Sequence, residues 1–432
     1  MGTEASSAAR RLVQSAAQHL YVLFEPALSH ALVREQRPAN RSRPRPEAQP
    51  AQRTIADVAI TPHPGMPHAS LTNARTGAAG LRDHFDRIVL PLWRGPGFNA
   101  ALRLPYEALD AAGAAPRPVA RYRAMACARQ LFVFTQTGDA AHAHTLFESL
   151  QHYFQDRARG GWFYSVDPQG APLDTSKDLY THAFVVFACS VYGQRARNGA
   201  ALDVARATSE LIADRFATAD GLFNASLDAS FANVTGTPVQ NPLMHLTEAW
   251  LAAREATGDA AFDTALTRLI EAVARTFLHA PTGCIAELPV GAPDNRLEPG
   301  HQFEWFWLAS CAGARLGASG LDEALARAFR FAVEHGVDAA NGAVAAALDE
   351  QGRVIDATQR IWAQTEYLRA IATHGEPAVS ATLPAQINRF AARFLTPQGW
   401  VECRSASGDV ARADMPSTTP YHLLSAWLAL PA

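Results

Sequence analysis

From about Leu81 onward the apolar positions follow the 3.6-residue period of amphipathic helices, and the helical runs come in pairs. First-type runs begin near Val119, Asp178, Pro242, His301, Gln359 and Pro420, roughly sixty residues apart, and each of the first five is followed by a turn and a second run. The repeating unit is a helix hairpin. Thr137-Gly-Asp139 and Thr257-Gly-Asp259 are near copies that place Gly where one helix ends and Asp where the next can be capped. Gly193, Gly317 and Gly375 stand at the equivalent points. After each second helix comes a short alternating segment: Gly160 to Gly170, Gly221 to Asp228, Gly283 to Leu288, Gly342 to Asp349, and Gly399 to Cys403. These predict short hairpin strands on long loops.

With Leu81 to Trp93 counted as a second-type helix, six helices of each type result. Fixed-period helix pairs bury their faces by stacking, either in an open solenoid or in a ring. A solenoid needs a polar outer face on its end repeat, yet the last helix, Tyr421-His-Leu-Leu-Ser-Ala-Trp-Leu-Ala-Leu430, is almost wholly apolar. The expected fold is therefore all-α, a closed (α/α)6 barrel of six helix hairpins with short β-hairpins in the long loops. Residues 79–432 are expected to form this single catalytic domain. Residues 1–78 differ: one helix from about Glu4 to Glu35, then a Pro/Arg-rich tract from Arg37 and a Gly/Pro/His-rich stretch. Such a composition buries too little apolar surface to offset its ordering entropy, and predicts a disordered or loosely helical extension, with Met66 as a candidate alternative start.

Polar residues break the apolar pattern at corresponding places in the first-type helices: Arg129, His182, His245 with Glu248, His301 with Glu304, Trp362 with Glu366, and His422. A closed ring would point them at one pocket; a solenoid would spread them along a groove. Each has a plain structural reading when taken alone. Arg129 would pair with a carboxylate, His182 would bond a backbone carbonyl in the core, and Trp305, Trp307 and Trp362 would fill space. Six matched polar positions on inner helices are costly, however, unless a polar cavity uses them.

Charge and cysteine usage narrow the partners. A net charge of −3 provides no basic field for nucleic acid or an anionic membrane, and fits a small neutral ligand. The five cysteines lack C-x-x-C spacing, which predicts buried thiols in a reduced compartment rather than a zinc site. No apolar run of about 18 residues is free of charges, and the N-terminus makes a poor secretory signal, so a cytoplasmic, membrane-free protein is expected. There is no Gly-rich phosphate loop and no G-x-S-x-G elbow, and the histidines lack short metal-ligand spacing. No metal or cofactor is expected. Two carboxylates beside an aromatic-lined pocket would suit a glycosidase. Histidines titrate near neutrality and suit reversible proton abstraction beside a carbonyl, which is the better match to these residues.

The stretches Ala128-Arg-Gln-Leu-Phe-Val-Phe134, Gly160-Gly-Trp-Phe-Tyr-Ser-Val-Asp167, Lys177-Asp-Leu-Tyr-Thr-His-Ala-Phe184, Asn241-Pro-Leu-Met-His-Leu-Thr-Glu248, Pro299-Gly-His-Gln-Phe-Glu-Trp305, Arg360-Ile-Trp-Ala-Gln-Thr-Glu366 and Pro420-Tyr-His422 resemble the N-acylglucosamine 2-epimerase superfamily. That superfamily also includes mannose isomerases and cellobiose 2-epimerases. The resemblance implies a closed barrel of six helix hairpins and a pair of catalytic histidines, His301 and His422, working through an enediol(ate) of the open-chain sugar. It implies that His245 assists ring opening, that Arg129 holds the developing oxyanion, and that Glu248 and Glu304 bind hydroxyls or orient the histidines. His182, Trp362 and Glu366 would line the pocket. The forms Pro-Gly-His-Gln-Phe-Glu-Trp and Pro-Tyr-His look most like the mannose or mannose-6-phosphate isomerase branch, and imply aldose–ketose isomerisation of mannose-type sugars. Two alternatives stay open: 2-epimerisation of an N-acylglucosamine or a glucose-type disaccharide, and a sugar-binding or glycosidase-like helical barrel. The expected partner is a monosaccharide or small saccharide, taken up by a monomer or homodimer.

Overall fold

A computed structural model describes residues 68–113, 115–313 and 320–432. The helix expected over Glu4 to Glu35, the Pro/Arg-rich tract, Met66 and Gly317 lie outside the described residues. α1 (His68–His84) continues through a π-helical turn (Phe85–Val89) into α2 (Leu90–Arg94). Its buried Ala74, Ala78 and Leu81 make one stripe that packs on a later helix, so the boundary expected at residue 78 falls inside a helix that already belongs to the fold.

Helix pairs follow. They are α3 (Ala124–Gln136) with α4 (Ala140–Ser149), α5 (Leu179–Arg195) with α6 (Gly199–Arg215), α7 (Gln240–Thr257) with α8 (Ala261–Phe277), and α9 (Pro299–Ala312) with α10 (Leu321–Gly336). Then come α11 (Ile361–Thr373), the single turn α12 (Pro377–Ser380), α13 (Leu383–Phe394) and the last helix, α14 (Thr419–Ala429). Five of the six expected first-type starts fall within two residues of the observed helices. Val119 is too early because Tyr122–Arg123 is a strand.

The two helix types differ in how they are buried. In α5 nearly every residue from Leu179 to Gly193 is buried, as in a helix enclosed on all sides. In α8 burial is confined to Phe262, Leu266, Leu269, Ile270, Ala272, Val273 and Phe277, a single apolar face. The enclosed helices pack on one another: α3 on α5, α5 on α7, α7 on α9, α9 on α11, and α11 on α14. Phe132 of α3 in turn meets Tyr421 of α14 edge-on at 5.5 Å. The main apolar core runs through all of them.

Turn chemistry follows the sequence closely at two hairpins. Gly138 and Gly258 are left-handed, Asp139 accepts the His142 N–H, and Asp259 accepts the Ala261 N–H. Gly193 differs from expectation, since it lies inside α5. A Cβ there would come within 2.5 Å of Leu202, so the glycine lets α5 and α6 approach, and Asn198 makes the cap instead.

The expected hairpin strands are present and two or three residues long. Tyr122–Arg123 pairs with Ser165–Val166, Lys177–Asp178 with Ser226–Leu227, and Gln359–Arg360 with Cys403–Arg404. In each case the residues just before an enclosed helix are tied to the hairpin of the next repeat. Ala108–Leu109 pairs with Met415–Pro416, joining the segment before α3 to the one before α14. The N-terminal ends of these helices therefore share one side with the hairpins, and the polar residues singled out above sit within their first three turns, His182, His301, Trp362 and His422 in the first. No helix among the described residues is long and apolar enough to cross a membrane.

Candidate active site

His301 is the third residue of α9, whose first turn is set by Pro299 and Gly300. A Cβ on Gly300 would lie 2.7 Å from the Trp362 indole, so the glycine allows Trp362 to rest against this turn, 4.8 Å from the His301 ring. His301 donates its Nδ1–H to Glu287 at 2.7 Å, and Glu298 stands 3.6 Å away. Gln240 locks the acceptor in place: its amide NH2 lies 3.0 and 3.1 Å from the Glu287 oxygens, while its carbonyl accepts the Trp305 indole N–H. Burial opposes charge on His301, but the Glu287 and Glu298 carboxylates outweigh it and lift the ring to about 9. His301 is an imidazolium at neutral pH.

His422 is in the opposite state. It sits in the first turn of α14, with Nδ1 3.0 Å from Glu366 and its ring 5.8 Å from Trp362. Burial, helped by the positive charge of Arg129, holds it well below the usual histidine range. With Nδ1–H donated to Glu366, its Nε2 keeps a lone pair. Arg369 fixes Glu366 from behind at 3.1 Å.

The third histidine, His245 in α7, directs Nδ1 to Glu248 at 3.2 Å and stands edge-on to Tyr180 at 4.9 Å. Burial lowers it too. Burial alone would raise Glu248, but His245, Arg369 at 3.6 Å and the Tyr421 hydroxyl at 2.5 Å keep it below the normal carboxylate value. For Glu304 the nearby positive charges of Arg369 and His301 do not suffice. Neither of its oxygens has a hydrogen-bond partner, and burial together with the charges of Glu366 and Glu248 raises it well above the usual range. Arg129 donates to the Tyr180 hydroxyl at 2.6 Å and lies over the Phe184 and Tyr421 rings, with no carboxylate partner among the described residues.

Arg129, His245, His301, Glu304, Trp362 and His422 line one cavity of about 250 Å³. Glu248 and Glu366 stand behind it and hold histidines. His182 is not among the lining residues: its Nδ1–H donates to the Asp178 carbonyl at 2.7 Å, its Nε2 accepts the Trp162 N–H at 3.1 Å, and burial pushes it down to about 4. Both nitrogens are used up in holding a loop. A second cavity of about 430 Å³ shares Tyr180, Asn241, Glu287 and Arg296 with the first.

Sequence reasoning missed Glu287, Gln240, Arg369 and Tyr421. Weak signals exist for each. Glu287 is the one acid in the Gly283 to Leu288 segment, Gln240 precedes the Asn241 stretch, Arg369 follows Glu366 by three residues in an apolar run, and Tyr421 adjoins His422. Among the described residues, two buried groups have donor atoms close enough for a metal ion: His245 with Glu248 and Glu304, and His301 with Glu287 and Glu298.

Residues 106–426 match the family model for N-acylglucosamine 2-epimerase (GlcNAc 2-epimerase). The chain belongs to the N-acylglucosamine 2-epimerase family. It is 30% identical over 387 residues to a mannose-6-phosphate isomerase of Rhizobium meliloti (strain 1021), covering 81% of this chain and 95% of that protein. Among solved structures, the cellobiose 2-epimerase from Bacillus thermoamylovorans B4167 superposes with a TM-score of 0.74 at 18% identity, covering 82% of this chain and 98% of that one. A D-mannose isomerase superposes with a TM-score of 0.72 at 18% identity, covering 81% and 96%. The last two likenesses concern the fold.

Proposed function

We propose that the chain interconverts an aldose and a ketose of the mannose–fructose type by histidine-mediated proton transfer through an enediol(ate). That it is a sugar isomerase/epimerase follows from its family and relatives. The observation that carries the finer reading is the opposed protonation of two histidines lining one pocket, His301 charged and His422 neutral. Pairs of titratable groups pushed apart in this way take acid and base roles.

In the proposed cycle the open-chain aldose lies against Trp362, and His422 Nε2 removes the C2 proton. The C2–H electron pair becomes the C1=C2 bond, and the carbonyl π pair moves to O1. His301 protonates O1, and Arg129, free of any carboxylate partner, is available to the oxyanion that grows there. His301 then takes the O2 proton, C2=O forms, and His422 returns its proton to C1. Protons balance: one moves from C2 to C1, one from O2 to O1. Ring opening comes first and falls to His245 with Glu248. Glu304, buried without a hydrogen-bond partner, bonds a sugar hydroxyl.

We also infer that the helix hairpins close into an (α/α)6 barrel. The Phe132–Tyr421 contact and the pairing of Ala108–Leu109 with Met415–Pro416 support closure. If the proton returned to C2 from the other face, the same residues would perform epimerisation. The adjoining 430 Å³ cavity gives a second sugar ring somewhere to sit, which favours a disaccharide as the substrate of that second reading.

The test is incubation with mannose, fructose, glucose, cellobiose and N-acetylmannosamine in heavy water. Mannose–fructose conversion with deuterium at C1 or C2 is expected. Conversion of cellobiose alone would replace the isomerase reading with the epimerase one, and neither exchange nor conversion in any sugar would remove both.

A further inference from the structure

Glu304 is 1% exposed, lines the cavity, and has no hydrogen-bond partner for either oxygen. A buried carboxyl group left in that state points to a ligand that completes it. Its neighbours indicate which kind. Three carboxyl groups, Glu248, Glu304 and Glu366, crowd this wall. The one guanidinium among them, Arg369, is engaged by Glu366 at 3.1 Å and Glu248 at 3.6 Å. Arg129 faces the same cavity but lies over aromatic rings and bonds the Tyr180 hydroxyl.

His245 Nδ1 lies 3.2 Å from Glu248 Oε2 and 3.9 Å from Glu304 Oε1. One atom from each residue falls within 4.8 Å of the other two, and all three residues are buried. Nitrogen and oxygen ligands stand about 2.0–2.2 Å from a four-coordinate zinc ion, which puts them about 3.3–3.6 Å from each other. The two separations from His245 bracket that value, and the two glutamate oxygens lie within 4.8 Å of each other, which puts all three donors within reach of one ion. The other acidic group is less suited. Glu287 lies within hydrogen-bond distance of the Gln240 amide at both oxygens, and Glu298 is held by Arg296 at 2.9 Å.

We propose that His245, Glu248 and Glu304 form a site for one divalent cation of the Zn2+ class, and that an ion there and a sugar in the pocket exclude each other. The ion would take Nδ1 of neutral His245 and an oxygen of each glutamate, leaving a fourth position toward the cavity. The Tyr421 hydroxyl already orients Glu248 from outside that set. Exclusion of sugar rests on the reading of this cavity as the sugar site; binding of the ion does not.

The test uses the full chain stripped with chelator and titrated with Co2+ as a spectroscopic stand-in for Zn2+. One equivalent should produce the intense visible bands of a four-coordinate ion, and Zn2+ should abolish them. Glu304→Gln and His245→Gln should each weaken this binding by more than about 100-fold, since loss of an outer-shell partner alone costs about 10- to 100-fold. Glu298→Gln should leave it unchanged, and circular dichroism verifies that every variant is folded. A sugar that passes the heavy-water test should raise the apparent Kd. Absence of the bands, or their persistence in both Glu304→Gln and His245→Gln, overturns the site. Bands that appear as expected but ignore saturating sugar overturn the exclusion while leaving the isomerase reading to its own experiment.

Discussion

His301 donates Nδ1–H to Glu287 across 2.7 Å, and this contact decides the charge of the ring that lies against Trp362. Glu287 comes from the loop before α9, so the acid that charges His301 is not part of the helix that carries it. His422, on the other flank of the same indole, has Glu366 beside it yet stays neutral, because burial disfavours its charge, Arg129 adds positive charge nearby and Arg369 shares the carboxylate.

Glu287→Gln keeps the shape of the contact and removes its charge. The His301 ring, at about 9 in the folded protein against 6.5 ordinarily, should then titrate lower. Because His301 acts as an acid, activity falls as pH rises through its pKa. The alkaline limb of the kcat profile should therefore move to lower pH in the variant, with a loss at pH 7.5 of about 10-fold for a ring returned to its ordinary value. The stability consequence has the same sign. A raised histidine contributes fully below 6.5 and loses that contribution as pH climbs through about 9, so the Tm gap between wild type and variant should narrow from pH 6 to pH 10.

His301→Asn and His422→Asn should each reduce kcat by about 10³-fold or more while circular dichroism and Tm report a folded protein. His422 is held well below the usual histidine range, so the acid limb of the wild-type profile should lie on the acid side of the ordinary histidine value of 6.5. Wild-type activity of either variant would refute the assignment of that residue.

Gly300→Ala tests how the indole is seated. The new Cβ would press on Trp362 at 2.7 Å and on the Ala363 methyl at 2.8 Å. Overpacking of this kind costs about 1–3 kcal/mol, and here it should also lower kcat by displacing the ring that flanks both histidines. The thermal melt and the kcat measured at 25 °C should fall together. A lower Tm with unchanged kcat would show that the position of Trp362 does not matter to turnover.

His182→Ala separates a structural histidine from a substrate-binding one. Removing the ring strips the Asp178 carbonyl and the Trp162 N–H of their partner, which costs about 1–3 kcal/mol for each buried group left unsatisfied. Urea denaturation should register that loss, with KM unchanged at temperatures where the variant is folded. A raised KM at full stability would restore His182 to the binding site.

The helix pairs were legible because their information is local. Apolar spacing in a segment such as Ala261–Phe277 and the turn chemistry of Thr137-Gly-Asp139 depend on neighbours a few residues away. The enclosed helices also revealed themselves, since residues such as His245 and His301 interrupt otherwise apolar runs at matching places. Gly193 misled because its purpose is the approach of Leu202, which resembles a turn glycine in sequence.

Sequence by itself determined the element order, the repeat, and the short list of side chains from which the pocket is built. Only the tertiary structure decided which of those side chains share a cavity and in what charge state. Glu366 reaches His422 from 56 positions away, and Tyr421 reaches Glu248 from 173. His182 and His422 look alike in the chain, each in the first turn of an apolar helix, yet one has both nitrogens bound to backbone and the other faces the cavity. The reason is physical. Helix formation responds to nearby residues, whereas a buried histidine's proton depends on burial and on charges within a few ångströms, and those distances exist only once the chain has folded.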